Sequence, residues 1–180
     1  TNTERPIATA PGSQSKPAIS GDRIVWEDAR DPDNVDIYMF DLRTNTERRI
    51  TTDPGLQENP DISGDRIVWE DTRDITNKYT YLYDLATNTE RPVNNVAHGT
   101  QRNPAIDGDL IVWEDCRYND CERGGWWEIY VYDLATEAGR RVTAYPPVAT
   151  QRGRPAVSGT RIVWEDFRGD IEGDIYLSEQ

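Results

Sequence analysis

Six letters recur four times along this chain. "RIVWED" occupies 23–28 and 66–71, "LIVWED" occupies 110–115, and "RIVWED" returns at 161–166. Aligned on Trp26, Trp69, Trp113 and Trp164, the copies lie 43, 44 and 51 residues apart. Self-similarity of this kind constrains the fold more than any local pattern, because each copy is one structural unit that buries its apolar surface against the next. Every unit runs from "PAIS", "PDIS", "PAID" or "PAVS" through a Gly turn into "IVWED". An acidic loop follows, and then "DIYMFDL", "YLYDL", "IYVYDL" or "DIYLSEQ". Where the chain continues, "TERRIT", "TERPVN" or "GRRVT" comes next. Short segments rich in Ile, Val, Trp and Tyr, set between turn residues, specify strands and not helices.

The turns agree with that reading. "SGDR" at 20–23 and 63–66, "DGDL" at 107–110 and "SGTR" at 158–161 put Gly where a tight hairpin needs a positive φ. Pro17, Pro60, Pro104 and Pro155 open the first strand of each unit, where a missing N–H does little harm. Each unit therefore predicts a four-stranded antiparallel meander, and such a unit repeated radially is a propeller blade. The expected fold is all-β: a β-propeller of four blades over about 14–52, 57–95, 101–144 and 151–180, in one domain spanning 1–180.

The two ends of the sequence complement each other. Residues 1–7, "TNTERPI", match 44–50, "TNTERRI", the fourth strand of the first complete unit, whereas the last unit ends on its third strand, "DIYLSEQ". From Trp164 through Gln180 and on from Thr1 to Trp26 is 42 residues, one short of the first spacing. The sequence thus predicts that Thr3, Arg5 and Ile7 pair beside Ile175 and Leu177, completing the fourth blade of the same or a neighbouring chain and covering exposed strand edges.

The pattern "SGDRIVWEDxRxxxxxDIYxYDLxTxxExxIT" resembles the TolB-type propeller repeat, in the form common in surface proteins of archaea and some bacteria, over essentially the whole chain. The resemblance implies the fold. It implies no single ligand, since similar propellers act as partner-binding modules, surface scaffolds and appendages to enzymes.

Charge and cysteines bound the function. A formal charge of −13 and a pI near 4.5 exclude nucleic acid as a partner and disfavour anionic membranes. No apolar run is long enough to insert into a membrane, and no signal peptide is present. Cys116 and Cys121 are the only cysteines, spaced C-x4-C in "CRYNDC". A disulfide closing a short loop accounts for them, which implies an extracellular or cell-surface location; two unpaired thiols are the alternative. A single histidine, His98, and no second cysteine pair leave zinc without ligands. Arginine supplies 18 of the 20 basic residues, which favours bidentate carboxylate pairing.

Carboxylates recur in phase with the repeat: Glu27, Asp28 and Arg30; Glu70, Asp71 and Arg73; Glu114, Asp115 and Arg117; Glu165, Asp166 and Arg168. Catalysis needs one differentiated site, and four copies indicate an ion-pair and turn-capping network. With no Ser-His-Asp set, Cys-His pair or phosphate-cradling glycine loop, the chain reads as no enzyme and needs no cofactor. Asp31, Asp33 and Asp36 in "DPDNVD", and Asp170 and Asp174 in "GDIEGD", offer clustered oxygen atoms suited to calcium, although an acidic surface loop is the simpler account.

The third unit departs from its siblings by a five-residue insertion carrying both cysteines and "RGGWWEIY". Tyr118, Trp126 and Trp127 there suit a stacked sugar or a protein contact, while strand alternation sends one of the tryptophans inward. A second irregular loop is "AYPPVATQRGRP" at 144–155. Two functions follow. One is a structural or protein-interaction module that assembles with copies of itself through its N-terminal strand, as a filament or a ring. The other is a glycan-binding module built on the aromatic loop of the third unit.

Overall fold

The computed structural model describes residues 3–74, 77–94, 99–117, 126–143, 151–168 and 172–180, and every regular element within them is a β-strand. The first sheet contains β1 (Gln14–Ser20), β2 (Arg23–Asp28), β3 (Asp36–Asp41) and β4 (Thr46–Arg49). The second contains β5 (Gln57–Ser63), β6 (Arg66–Asp71), β7 (Tyr79–Asp84) and β8 (Thr89–Pro92). The third contains β9 (Gln101–Asp107), β10 (Leu110–Asp115), β11 (Glu128–Asp133) and β12 (Ala138–Arg141). The fourth has β13 (Arg152–Ser158), β14 (Arg161–Asp166) and β15 (Asp174–Glu179). Each is an antiparallel meander in chain order.

Two local devices repeat in every sheet. The hairpin between the first two strands is a two-residue loop whose Gly21, Gly64, Gly108 and Gly159 adopt φ of 56–59°, as the sequence predicts. Each first strand also bulges just before its proline: the pairing register shifts around Lys16, Asn59, Asn103 and Arg154, and all four take a positive φ near 50°. A bulge bends the strand and re-aims its backbone groups.

The "IVW" strands lack polar alternation because sheets pack on one another, the second and third being covered on both faces. Val25, Ile37 and Met39 of the first sheet pack on Ile62, Ile67, Trp69 and Tyr83 of the second. Val68 and Leu82 meet Ile106, Ile111, Trp113 and Tyr130 of the third, whose Val112, Ile129 and Val131 meet Ile162 and Trp164 of the fourth. Three sheet-to-sheet joints therefore hold a four-sheet arc. Among the described residues no apolar cluster joins the fourth sheet to the first.

The expected pairing of the N-terminal segment beside β15, in the same or a neighbouring chain, is not made among the described residues of this chain. The fourth sheet is three-stranded, and Thr3–Pro6 belongs to no strand. Instead Ile7 and Ala8 rest on Ile24, Trp26, Tyr38, Phe40 and Leu42 of the first sheet. Among the described residues no apolar cluster joins β15 to the first sheet, and the segment takes the apolar face beside it.

Candidate functional site

The repeated carboxylates are structural. In the first sheet the indole N–H of Trp26 donates to Asp28 Oδ2 at 2.9 Å, while Arg30 donates its backbone N–H and Nε to Oδ1 and its Nη2 to Oδ2. Trp69, Asp71 and Arg73 repeat the arrangement, as do Trp113, Asp115 and Arg117; Trp164, Asp166 and Arg168 repeat it without the Nε bond, and Arg152 Nε donates to Asp166 Oδ2 besides. Each guanidinium then lies 3.8–4.0 Å above the ring of the paired tyrosine, Tyr38, Tyr81, Tyr130 or Tyr176. Arginine alone combines a planar fork for the carboxylate with a flat face for the ring. Burial pushes the Asp166 carboxyl up, but donors on Arg168, Arg152 and Trp164 outweigh it and hold the pKa at about 2. Asp28 is lowered by the same balance: burial opposes, and Arg30 and Trp26 prevail. Both carboxylates are thereby committed to ion pairs within their own sheet.

The glutamates of the motif join neighbouring sheets. Glu27 Oε1 accepts the bulge N–H of Asn59 at 2.6 Å; Glu70 Oε1 accepts that of Asn103, and Glu114 Oε1 that of Arg154, each at 2.7 Å. Beside them Ser20 and Ser63 accept the N–H groups of Gly64 and Gly108, and Asp107 accepts that of Gly159. Arg23 reaches the carbonyl of Gly64 and the carboxylate of Asp65, and Arg66 reaches Gly108 and Asp109 in the same way. Glutamate, bulge and hairpin thus form a polar clasp around each apolar joint, and an arginine completes it at the first two.

The clasp parts are also present at the two open ends of the arc, where they face no neighbour. Ile19 is 63% exposed, whereas its counterparts Ile62 and Ile106 are 5% exposed. Ile175 and Leu177 are 72% and 56% exposed, against complete or near-complete burial of Ile37, Met39, Ile129 and Val131. Among the described residues the edge of β15 carries no fourth strand. This end, with its unpaired backbone and two apolar side chains, is the candidate functional site. It brings together Ile175 and Leu177 of the predicted closure set, whereas Arg5 and Ile7 of the same chain lie on the first sheet and Thr3 is exposed and in no strand.

The remaining predicted residues do not converge. Trp127 is buried with the Arg102 guanidinium 3.7 Å above its ring, so it is the inward tryptophan that alternation required. Trp126 is half-buried, and Tyr118, Cys121, His98 and Asp170 lie outside the described residues. Cys116 is buried. Asp36 is engaged by Arg49 at 2.8 Å and by Thr51, and Asp31 caps the backbone N–H of Asp33. Among the described residues no group of three acidic, His or Cys side chains is placed to hold a metal ion. The sequence reading missed one feature. The four bulges converge on a groove of about 340 Å³, lined by Lys16, Asn59, Asn103, Arg154 and the prolines that follow them. The only signal for it was the recurrence of those prolines.

Four radially packed meanders of this kind define a propeller. Its fold is of the TolB type: the chain is similar to TolB from Acinetobacter baumannii with a TM-score of 0.72 and 20% identity, covering 96% of this chain and 42% of that one. For TolB from Agrobacterium tumefaciens the TM-score is 0.64 and the identity 16%, with 89% and 58% of the two chains covered. The chain thus spans about half the length of the TolB chains it matches. A prolyl endopeptidase structure is similar at a TM-score of 0.66 and 12% identity, over 92% of this chain and 26% of that one. No family model and no curated protein matches the sequence. Among the described residues no helix is long and apolar enough to cross a membrane.

Proposed function

We propose that this chain is a non-catalytic protein-interaction module that binds through the open edge of its fourth sheet. The observation carrying the reading is β15: an unpaired edge whose flanking Ile175 and Leu177 lie in solvent although the same positions are buried in every other sheet. A strand edge of this kind takes an added strand through main-chain hydrogen bonds. Copies of the chain are partners of this kind, since they carry the strand sequence 1–7, and assembly through it gives a ring or a filament. Two cysteines spaced C-x4-C in one loop support a disulfide between Cys116 and Cys121, and with it residence outside the cell. The glycan reading keeps only Trp126 and Tyr118, because Arg102 already covers Trp127.

The test is the mass of the protein by light scattering. The chain of 20.6 kDa is expected to run as an assembly. A Leu177→Pro variant, which removes a donor that β15 turns away from β14 toward the open edge, and a variant lacking residues 1–7 are expected to run as monomers. Equal masses for all three proteins would remove β15 as the binding edge.

A further inference from the structure

We infer that the partner of the open fourth sheet is the first sheet of a second copy, docked head-to-tail, with Thr3–Pro6 of that copy adding as the fourth strand beside β15. The inference rests on the proposed strand addition at β15 and specifies its partner, register and polar contacts.

Thr3–Pro6 already occupies the place of a fourth strand that lacks its sheet. Ile7 packs on Ile24, Trp26 and Phe40 as Ile50 packs on Ile67, Trp69 and Tyr83. The guanidinium of Arg5 lies 5.5 Å over Phe40, and that of Arg48 lies 5.3 Å over Tyr83. The first sheet and its N-terminal segment are therefore arranged as though a preceding sheet were present. The fourth sheet supplies what is missing, namely three strands with no fourth. Thr3–Pro6 reads "TERP", identical to β8, which pairs as Tyr81 with Pro92, Leu82 with Arg91, Tyr83 with Glu90 and Asp84 with Thr89. The same register sets Tyr176 opposite Pro6, Leu177 opposite Arg5, Ser178 opposite Glu4 and Glu179 opposite Thr3.

The polar clasp argues independently for the same partner. At the third joint the arginine and aspartate of the clasp are replaced by Leu110 and Thr160, yet both types stand at the open ends, as Arg161 and Asp22. Among the described residues Arg161 pairs with Glu179 of its own sheet alone, at 3.1 Å with both side chains mostly exposed. Lys16 holds the bulge conformation with φ of 48°, and among the described residues no glutamate of a preceding sheet accepts its N–H. Head-to-tail docking places Glu165 at that N–H, Arg161 at Gly21 and Asp22, and Ile175 and Leu177 over Ile19. An interface of this type is heterologous, so its repetition closes a ring or extends a fibre, and either product fits.

Two variants, Glu4→Cys and Ser178→Cys, are mixed under mild oxidation. Facing strand residues bring their Cα atoms within the roughly 4.4–6.8 Å that a disulfide spans. A covalent dimer is expected only in the mixture, with peptide mapping joining positions 4 and 178. Arg161→Glu is expected to weaken association about tenfold or more, and adding Asp22→Arg to the same chain to restore it. Assembly that needs the β15 edge but yields neither the 4–178 link nor the rescue overturns this inference and leaves the strand-addition reading standing. Absence of any assembly defeats both.

Discussion

The joint between the first and second sheets and the open ends of the arc are written in nearly the same letters and live in opposite environments. At the joint, Ile62 and Met39 are buried under a facing sheet; at the ends, Ile19 and Leu177 stand in water. Burial in a repeat protein is a property of having a neighbour, since each unit is nearly identical and stability adds up from unit and interface terms. The ends differ from each other as well. The first sheet is partly covered by its own N-terminal segment, which shields Trp26 and Phe40, whereas Ile175 and Leu177 have no such cover among the described residues.

Substitutions at matched positions break this comparison most sharply. Trp69→Ala, in the fully buried centre of the first joint, should cost about 3–5 kcal/mol in urea denaturation of dilute protein. A loss as small as that of a surface substitution would mean that the joint is not tightly packed. Glu70→Ala strips the acceptor from the Asn103 N–H and should cost about 1–3 kcal/mol. Its counterpart at the open end, Glu165→Ala, should change the stability of the monomer by no more than about 0.5 kcal/mol.

Acid titration sharpens the comparison without mutation. The folded pKa of Asp166, about 2, lies below its ordinary value of 3.8, and that of Asp28 is also lowered. A depressed carboxylate contributes its stability in full above the ordinary value and loses it as pH falls through the folded one, so stability should drop between about pH 4 and pH 2. Asp61 opposes this weakly, because burial raises its pKa despite the N–H groups of Ile106 and Ile62. Thermal unfolding across that range checks the sign. The smallest effect is expected for Ile175→Ser, within about 0.5 kcal/mol for the monomer, although the same change should weaken self-association.

Much of this was legible in the repeat. Four meanders, their hairpin glycines and the carboxylate–arginine pairs follow from period and turn chemistry. The bulges were hidden, because Lys16, Asn59, Asn103 and Arg154 share no residue type and a residue preceding proline is ordinarily extended. The reach of Glu27, Glu70 and Glu114 into the next sheet was hidden too, since a glutamate after a tryptophan does not say which strand it will meet. The N-terminal strand was recognised by its letters, but not the sheet on which it lies. That was decided by Ile7, whose equivalence to Ile50 specifies a seat on the following sheet rather than a pairing partner. Trp127 could not be separated from Trp126 until Arg102 was seen to cap it.

The central claim is that the two open ends are halves of one more joint. Hydrogen exchange of the chain, followed by mass spectrometry from roughly 1 to roughly 100 µM, a range in which specific protein contacts become populated, tests it directly. Protection of 175–179, of Ile19 and of Thr3–Pro6 should rise together with concentration while the three internal joints stay constant. Exchange at all three places that is independent of concentration would contradict the account.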